Sequence, residues 1–336
     1  MLDFRDAVGH EQVIEHLQMS ITREKVSHAY IFNGEKGSGK RFLARTFAKT
    51  LLCEEGGTNP CGKCKSCMQA ETNNHPDIIN VTHEKVSLGV DDVRAQINQD
   101  IGIKPFSGRY KVYLVDDADK MTEQAQNAIL KTIEEPPAYA VLILMTENAE
   151  RLLPTIRSRC VILDMKPVSP ELIKKHLMEE RKFPDYAAEI SARFSQGNMG
   201  RAIRYASSED FFAMKDQVLS LLKGIDEMGL ADIMEEIKTF AGHKLEINDY
   251  IDMMILWYRD VLMFKVTNNP NVLLFKEEYT AISKQASTKS YEGIENIIKG
   301  MDKAKERLKA NVNFDTAIEL MLLTLKENGN GKCDRS

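Results

Sequence analysis

The sequence predicts an α/β domain built on a parallel sheet, then a small helical unit, and then an all-α region. Three observations predict this order: short apolar runs alternate with helical patterns over residues 1–166, a glycine-rich turn follows the first run, and only helical patterns follow residue 167. Apolar runs that alternate with helices are typical of a parallel sheet covered on both faces. At 336 residues, the chain also has the length of roughly two or three domains.

Five segments are predicted as strands because they are short, apolar and rich in β-branched or aromatic residues. They are His28–Phe32, Asp77–Val81, Lys111–Val115, Val141–Met145 and Val161–Met165. Helical periodicity is found at His10–Thr22 and at Lys40–Leu52, on either side of the first strand. These elements define a predicted α/β domain at residues 1–166.

Two helical regions are predicted beyond this domain. Residues 167–207 hold three short helices, at Ser169–Glu180, Pro184–Phe194 and Gly200–Ser207. Ser169 is predicted to cap the first of them, with proline at the first helical position. Residues 208–330 hold longer helices, at Glu209–Leu222, Leu230–Phe240, Ile247–Val266, Lys276–Gln285 and in a pair within Tyr291–Leu325. One of these helices has an apolar stripe, so we expect its Trp257 to be a packing residue; the stripe consists of Ile251, Met254, Ile255, Tyr258, Val261 and Leu262.

Charge and hydropathy exclude several classes of protein. Forty-five Lys+Arg against fifty Asp+Glu give a net charge of −5, which excludes nucleic-acid binding through overall basicity. The longest uncharged apolar run, Tyr139–Met145, is far shorter than the roughly 20 residues of a membrane span. The first residues, MLDFRDAVGHEQ, carry two acids and no apolar core, unlike a signal peptide. We therefore expect a cytoplasmic protein that does not contact membranes.

The turn Gly34–Lys40 (GEKGSGK) matches the P-loop pattern and lies between a predicted strand and a predicted helix. Gly34, Gly37 and Gly39 would let backbone N–H groups surround a phosphate, and Lys40 would add a positive charge. The next residue is Arg41 instead of the serine or threonine whose hydroxyl binds Mg²⁺. A guanidinium repels a metal ion. The loop therefore keeps a phosphate-binding pattern, while Arg41 argues against hydrolysis and leaves ATP binding open.

Two carboxylates end the strand segment Lys111–Asp117 (KVYLVDD). In P-loop NTPases an aspartate at such a strand end holds the metal, and a second acid can orient the attacking water. Asp116 fits the first position. Asp117 is one methylene shorter than the glutamate usual at the second position, which agrees with the weakness that Arg41 indicates.

Four of the six cysteines lie within fifteen residues, at Cys53, Cys61, Cys64 and Cys67. Thiolates at such short spacings can close a tetrahedron around Zn²⁺ and leave no open position for chemistry. The spacing predicts a structural zinc site in an insertion at residues 53–67. An iron–sulfur cluster and unligated thiols remain alternatives. Cys160 and Cys333 are too isolated to join the cluster.

The segment Arg157–Cys160 (RSRC) comes just before the last predicted strand. On charge alone, its two arginines are best explained as a solvated basic turn. Charge alone indicates no other function for Arg159.

Several segments together resemble the clamp-loader branch of the AAA+ ATPases. They are Phe4–Gln12 (FRDAVGHEQ), His28–Lys40 (HAYIFNGEKGSGK), the spaced cysteines, Val112–Asp119 (VYLVDDAD), Asn127–Pro137 (NAILKTIEEPP) and Thr155–Cys160 (TIRSRC). NAILKTIEEPP and SRC are the more specific of them. The resemblance covers residues 1–207 by motif; beyond that it depends on helical content and on Leu308–Asn313 (LKANVN). It implies an AAA+ P-loop domain, a three-helix lid and a helical collar that mediates oligomerisation.

The resemblance also implies roles for individual residues. In clamp loaders the arginine of SRC, here Arg159, reaches ATP bound in the adjacent subunit and acts there as an arginine finger. Thr146 matches the strand-end position that senses the γ-phosphate. Gly200 stands where the lid of an active motor carries a sensing arginine, and Arg201 is displaced by one residue, a rotation of about 100° on a helix.

Among clamp-loader subunits, the sequence is similar to those that support the ring and leave hydrolysis to the gamma/tau subunits. The implied partners are the gamma/tau and delta subunits, with the sliding clamp and primed DNA reached through the complex. The complex belongs to a replicative DNA polymerase, a nucleotidyltransferase, although this chain carries no polymerase motif. The alternative is a gamma/tau-type ATPase motor that tolerates Arg41 and Asp117. A zinc-bearing nucleic-acid-binding module is less consistent, because Lys63 and Lys65 have no aromatic residue between them for base stacking.

Overall fold

A computed structural model describes residues 2–82, 87–244 and 246–328. Cys333 and the last two residues of the predicted collar, 329–330, lie outside these residues. The chain divides into two compact units, Met1–Ala206 and Ser207–Ser336. The first unit includes all of the predicted α/β domain.

The first unit is built on a parallel sheet of five strands in the order β2-β3-β4-β1-β5. The strands are β1 (Ala29–Asn33), β2 (Ile78–Val81), β3 (Lys111–Val115), β4 (Ala140–Thr146) and β5 (Val161–Asp164). Each corresponds to a predicted strand, and their ends differ from the prediction by no more than one residue. The predicted fold class is confirmed.

Helices cover both faces of the sheet. In the first unit they are α1 (Glu11–Thr22), α2 (Lys40–Leu51), α3 (Lys65–Glu71), α4 (Val90–Val93), α5 (Glu123–Glu134), α6 (Pro154–Arg157), α7 (Pro170–Glu179), α8 (Asp185–Phe194) and α9 (Met199–Ala206). Alternate residues of β1 enter opposite apolar clusters: Tyr30 and Phe32 pack with α2, whereas Ile31 packs with α5. The all-apolar strands follow from this two-sided burial.

Helices α7 to α9, which correspond to the three helices of the expected lid and are called the lid below, pack around a small apolar cluster of their own that includes Ile173, Leu177 and Ala202. The Ser169 hydroxyl accepts a hydrogen bond from the N–H of Leu172 at 3.4 Å, and Pro170 is the first helical residue. The predicted cap is confirmed.

The second unit is helical throughout its described residues. Its helices are α10 (Glu209–Gly224), α11 (Leu230–Ala241), α12 (Ile247–Thr267), α13 (Tyr279–Thr288), α14 (Tyr291–Lys309) and α15 (Phe314–Glu327). Trp257 is fully buried, and its indole N–H donates to Gln285 Oε1 at 2.8 Å. It is a packing residue, as predicted. None of the helices in the described part of the chain is long and apolar enough to cross a membrane.

Candidate functional site

The P-loop joins the carboxyl end of β1 to the amino end of α2. Gly37 and Gly39 have φ values of +88° and +97°, in the left-handed region that side chains rarely adopt. This backbone conformation explains why the sequence has glycine at these two positions. The third glycine, Gly34, packs against Met165 at the end of β5, where an added Cβ would lie 2.7 Å from the Met165 Cβ.

The ammonium group of Lys40 turns back onto its own loop. Its Nζ donates to the carbonyl oxygen of Gly34 at 2.5 Å and to that of Glu35 at 2.8 Å. Burial lowers the pKa of Lys40, and the nearby carboxylates oppose this shift. A phosphate would therefore compete with two carbonyl groups for this cation.

Arg41 and Asp116 form an ion pair across the site. Arg41 Nε lies 3.5 Å from Asp116 Oδ2. Burial raises the pKa of Asp116, and the Arg41 guanidinium opposes that shift. Arg41 replaces one metal ligand of a P-loop enzyme, and Asp116 is the metal ligand that the sequence retains. These two residues contact each other. In this arrangement the Asp116 charge is balanced by a cationic side chain where a motor enzyme uses a metal ion.

Asp119 organises the strand ends next to the loop, and sequence reasoning missed it. Its side chain is only 7% exposed and accepts from the Thr146 hydroxyl at 3.1 Å and from the Glu147 N–H at 3.3 Å. Thr146, matched by resemblance to a γ-phosphate sensor, is thus already bonded. The neighbouring Asp117 has a left-handed backbone and pairs with Lys120 at 2.7 Å.

The lid contacts the P-loop directly. The N–H of Gly200 donates to the carbonyl of Gly37 at 2.9 Å, and the Asn198 side-chain amide donates to the carbonyl of Lys36 at 2.8 Å. A Cβ added to Gly200 would lie 2.8 Å from the Gly37 Cα. Arg201 stays beside the loop, because its guanidinium lies 3.5 Å from Glu35 Oε2.

His10 provides another contact that the sequence did not reveal. Its Nε2 lies 2.9 Å from the carbonyl oxygen of Ser38 and must donate to it. Burial lowers the pKa of His10, which favours the neutral ring with its proton on Nε2. Three carbonyls of the loop therefore have partners from outside it: those of Lys36, Gly37 and Ser38.

The four clustered cysteines converge as predicted. The Sγ atoms of Cys53, Cys61, Cys64 and Cys67 all lie within 4.8 Å of one another, and those of Cys61 and Cys67 are 3.9 Å apart. A zinc ion with Zn–S bonds of about 2.3 Å requires sulfur atoms about 3.8 Å apart, so the four residues fit such an ion.

Backbone N–H groups point at the sulfur atoms. The N–H of Cys61 donates to Cys53 Sγ at 3.4 Å, that of Cys64 to Cys61 Sγ at 3.4 Å and that of Cys67 to Cys64 Sγ at 3.3 Å. These bonds favour thiolates and lower the pKa of Cys61 to about 7, whereas burial raises the pKa of Cys53 and Cys67. The donor set suits a soft divalent cation.

The cysteine insertion is attached to the P-loop helix. Cys53 follows the end of α2, and Cys64 caps α3. The Ser66 hydroxyl donates to the Leu52 carbonyl at 2.6 Å and contacts His75 Nε2 at 2.9 Å. These bonds fix α3 against the carboxyl end of α2.

Arg159 lies near the amino-terminal ends of the strands, whereas the P-loop lies at their carboxyl-terminal ends. Because β5 pairs with β1 so that Val161 is level with Tyr30, Arg159 is level with the start of β1. At about 3.3 Å per residue, it stands roughly 20 Å from Gly34 along the strand direction. Its Nη2 lies 3.1 Å from Glu134 Oε1, and its side chain is 41% exposed.

The Arg159–Glu134 pair joins the two segments that carry most of the resemblance, SRC and NAILKTIEEPP. Arg157, in contrast, is less exposed and forms an ion pair with Glu150. Of the two arginines, Arg159 is the one better placed to meet another molecule.

A parallel sheet with a P-loop after β1, a small helical lid and an all-α second unit define this chain as an AAA+ protein. The sequence profile of the family described as "DNA polymerase III, delta subunit" matches residues 9–169. The chain is 31% identical over 319 residues to DNA polymerase III subunit delta' of Bacillus subtilis, covering 94% of this chain and 96% of that protein. It belongs to the family of DNA polymerase III clamp-loader subunits.

The chain is also similar to other proteins. The tau subunit of B. subtilis is 28% identical over 342 residues, and the match covers 94% of this chain but 60% of the tau subunit. Among solved structures, a gamma subunit-related protein of Thermotoga maritima is 19% identical with a TM-score of 0.47, over 96% of this chain and 99% of that protein.

Proposed function

We propose that this chain is a delta-prime-type subunit that helps a clamp loader place the sliding clamp on primed DNA without hydrolysing ATP itself. The observation that carries the proposal is the ion pair between Arg41 and Asp116. In a motor subunit these two positions hold Mg²⁺ together, and here they hold each other. The bonds of Lys40 to its own loop and of Thr146 to Asp119 support the same conclusion.

In this proposal Arg159 acts on the neighbouring subunit. It cannot serve its own P-loop, because the two lie at opposite ends of the strands of one sheet. A guanidinium at an exposed edge suits the role of stabilising charge on a phosphoryl group that is being transferred in an adjacent subunit. The gamma/tau and delta subunits are the proposed partners, and the clamp and primed DNA are reached through the assembled complex.

The proposal also includes a structural zinc ion. Cys53, Cys61, Cys64 and Cys67 would hold it with all four coordination positions filled, which leaves none for chemistry. Its contribution would be to fix the insertion at the end of α2. The Arg finger and the P-loop do not depend on the metal for any chemical step.

The alternative is a gamma/tau-type motor. It is favoured by the similarity to the tau subunit and by the retention of Gly37, Gly39, Lys40 and Asp116. ATP turnover by the isolated chain separates the two functions. We expect no turnover above background, and little recovery after Arg41→Thr, because Asp117 and Gly200 remain unsuited. Turnover at a motor subunit's rate in the unmodified chain would establish the alternative.

The role of Arg159 is tested in the reconstituted complex. Arg159→Ala should leave the chain folded and assembled, but lower ATP turnover and clamp loading, since removing an arginine finger costs about 10³-fold or more at the site it serves. Because one site is affected, total ATPase falls only in part while clamp loading falls further. Arg109→Ala, which removes another exposed arginine of the first unit, one that pairs with Glu24, is the matched control. Wild-type loading by the Arg159→Ala complex would refute the assignment.

A further inference from the structure

A groove in the second unit runs between α14 and α15 and encloses about 330 Å³. Its floor is formed at Gly300, where the helices approach so closely that a Cβ would lie 2.8 Å from the Thr324 Cγ2. Its polar lining consists of Asn296, Lys299, Lys303, Arg307, Thr324 and Asn328. None of the described residues that line it carries a carboxylate.

Three cations line the groove on successive turns of α14. Lys299, Lys303 and Arg307 follow one another at intervals of four residues, which is about 6 Å of helix rise. Lys299 pairs with Glu295 on the exposed surface of the same helix. Within the described part of the chain, the side chains of Lys303 and Arg307 have neither an ion pair nor a hydrogen bond. On a chain with a net charge of −5, the groove therefore has two cationic side chains without an internal counterion and a third that is paired on the surface.

The groove has the side chains that bind phosphate. Lysine, arginine, asparagine and threonine are the residue types that contact the phosphates and sugars of nucleic acids. Because no aromatic side chain lines the groove, base stacking cannot supply affinity or sequence preference. The three cations span two helical turns, about 12 Å, so each can meet a different phosphate of an extended single strand.

We propose that this groove binds the phosphodiester backbone of single-stranded nucleic acid without reading its bases. The three cations form a single row along α14, so they can follow only one phosphate strand, and a duplex would leave its second strand outside the groove. An acidic polypeptide would also supply negative charge, but peptide docking generally adds apolar anchors, and Leu320 is the one large apolar side chain in the lining. The site goes beyond the proposed function and uses none of its residues.

The test measures binding of a fluorescent oligothymidylate to the full zinc-loaded chain by anisotropy, over a tenfold range of salt. Three phosphate contacts predict that affinity falls about a hundredfold over that range, and one contact predicts a fall of about fivefold. The Lys303→Gln/Arg307→Gln variant should therefore bind more weakly at low salt and show the flatter dependence.

The matched control is Lys238→Gln/Lys309→Gln. It removes the same charge from exposed helical positions in the same unit that do not line the groove. The control should keep the wild-type affinity and salt dependence. Unchanged thermal unfolding of both variants shows that neither effect comes from misfolding.

Four results would overturn the proposal: equal losses in the two double variants, equal salt dependence in the groove variant and the wild type, tighter binding of polyglutamate than of oligothymidylate, or a groove variant that no longer assembles with other loader subunits. The last two would identify the groove as a site for an acidic protein segment and as a subunit interface. Failure of the proposed function appears separately, as ATP turnover by the isolated chain.

Discussion

The two ends of helix α2 carry sites of opposite character. At its amino end, Lys40 donates to carbonyls of its own loop, Arg41 pairs with Asp116, and the N–H of Gly200 donates to the carbonyl of Gly37. At its carboxyl end, Cys53 and three further thiols converge on a common point. The comparison teaches that one helix can separate a site whose cationic side chains already have partners within the chain from a site whose four thiols converge at the spacing that a metal ion requires.

The largest effect should come from disrupting the four-cysteine cluster at the carboxyl end of α2. Removal of zinc, or Cys64→Ser, should lower the free energy of unfolding by about 4 kcal/mol when free zinc is a thousandfold above its Kd, because the ion binds only the folded chain. Elemental analysis should find about one zinc per chain, and thermal unfolding with and without a chelator measures the stability.

Cys160→Ser is the control for that experiment, because Cys160 lies outside the cluster. It should retain the zinc. Two results would contradict the zinc assignment. Purified protein that contains no metal would indicate free thiols, and purified protein that contains iron and absorbs visible light would indicate an iron–sulfur cluster.

A medium effect should come from opening the P-loop end. Gly200→Ala places a Cβ against the Gly37 backbone, so the lid must shift and lose its bonds to the loop. Overpacking of this kind costs about 1–3 kcal/mol. Urea denaturation measures the loss of unfolding free energy, and faster proteolysis between α8 and α9 indicates that the lid has been displaced.

Gly102→Ala is the matched control, since nothing lies within 4 Å of a Cβ added there. It should leave stability and proteolysis unchanged. Equal behaviour of the two alanine variants would mean that the lid does not depend on its contact with Gly37.

The smallest effect should be a pH dependence at the P-loop end. Burial lowers the pKa of His10 in the folded chain, so the unfolded chain binds its proton more readily. The stability linked to neutral His10 is therefore present above the ordinary histidine pKa of about 6.5 and is lost as the pH falls below it. His10→Gln keeps a donor for the Ser38 carbonyl but removes the titration. The loss of stability between neutral and mildly acidic pH should be smaller in this variant, and an equal loss would contradict the assignment.

The sequence predicted those features that depend on local pattern. The strand Lys111–Val115 was predicted at its observed bounds, and the cysteine spacing alone identified the cluster. Arg41 and Asp116 were each singled out, but their contact was not, because it depends on how α2 packs beside β3.

The contacts that close the P-loop were missed for the same reason. Asn198 and Lys36 are 162 residues apart, and a side-chain amide bonded to a distant carbonyl leaves no periodicity or motif. His10 and Asp119 also act through single hydrogen bonds to other elements. In the sequence they look like ordinary polar residues next to a motif, although DDAD does place a third acid at this strand end.

The ion pair between Arg159 and Glu134 has a consequence for selectivity. Both partners are nearly half exposed, so the pair is worth less than about 1 kcal/mol and is easily exchanged. In the proposed role, Arg159 exchanges the Glu134 carboxylate for the phosphates of a nucleotide, and it binds more strongly to the anion with the greater charge. A triphosphate draws the side chain away more strongly than a diphosphate does. In the proposed role, this weak rest position on its own subunit makes the arginine responsive to which nucleotide the neighbouring subunit holds.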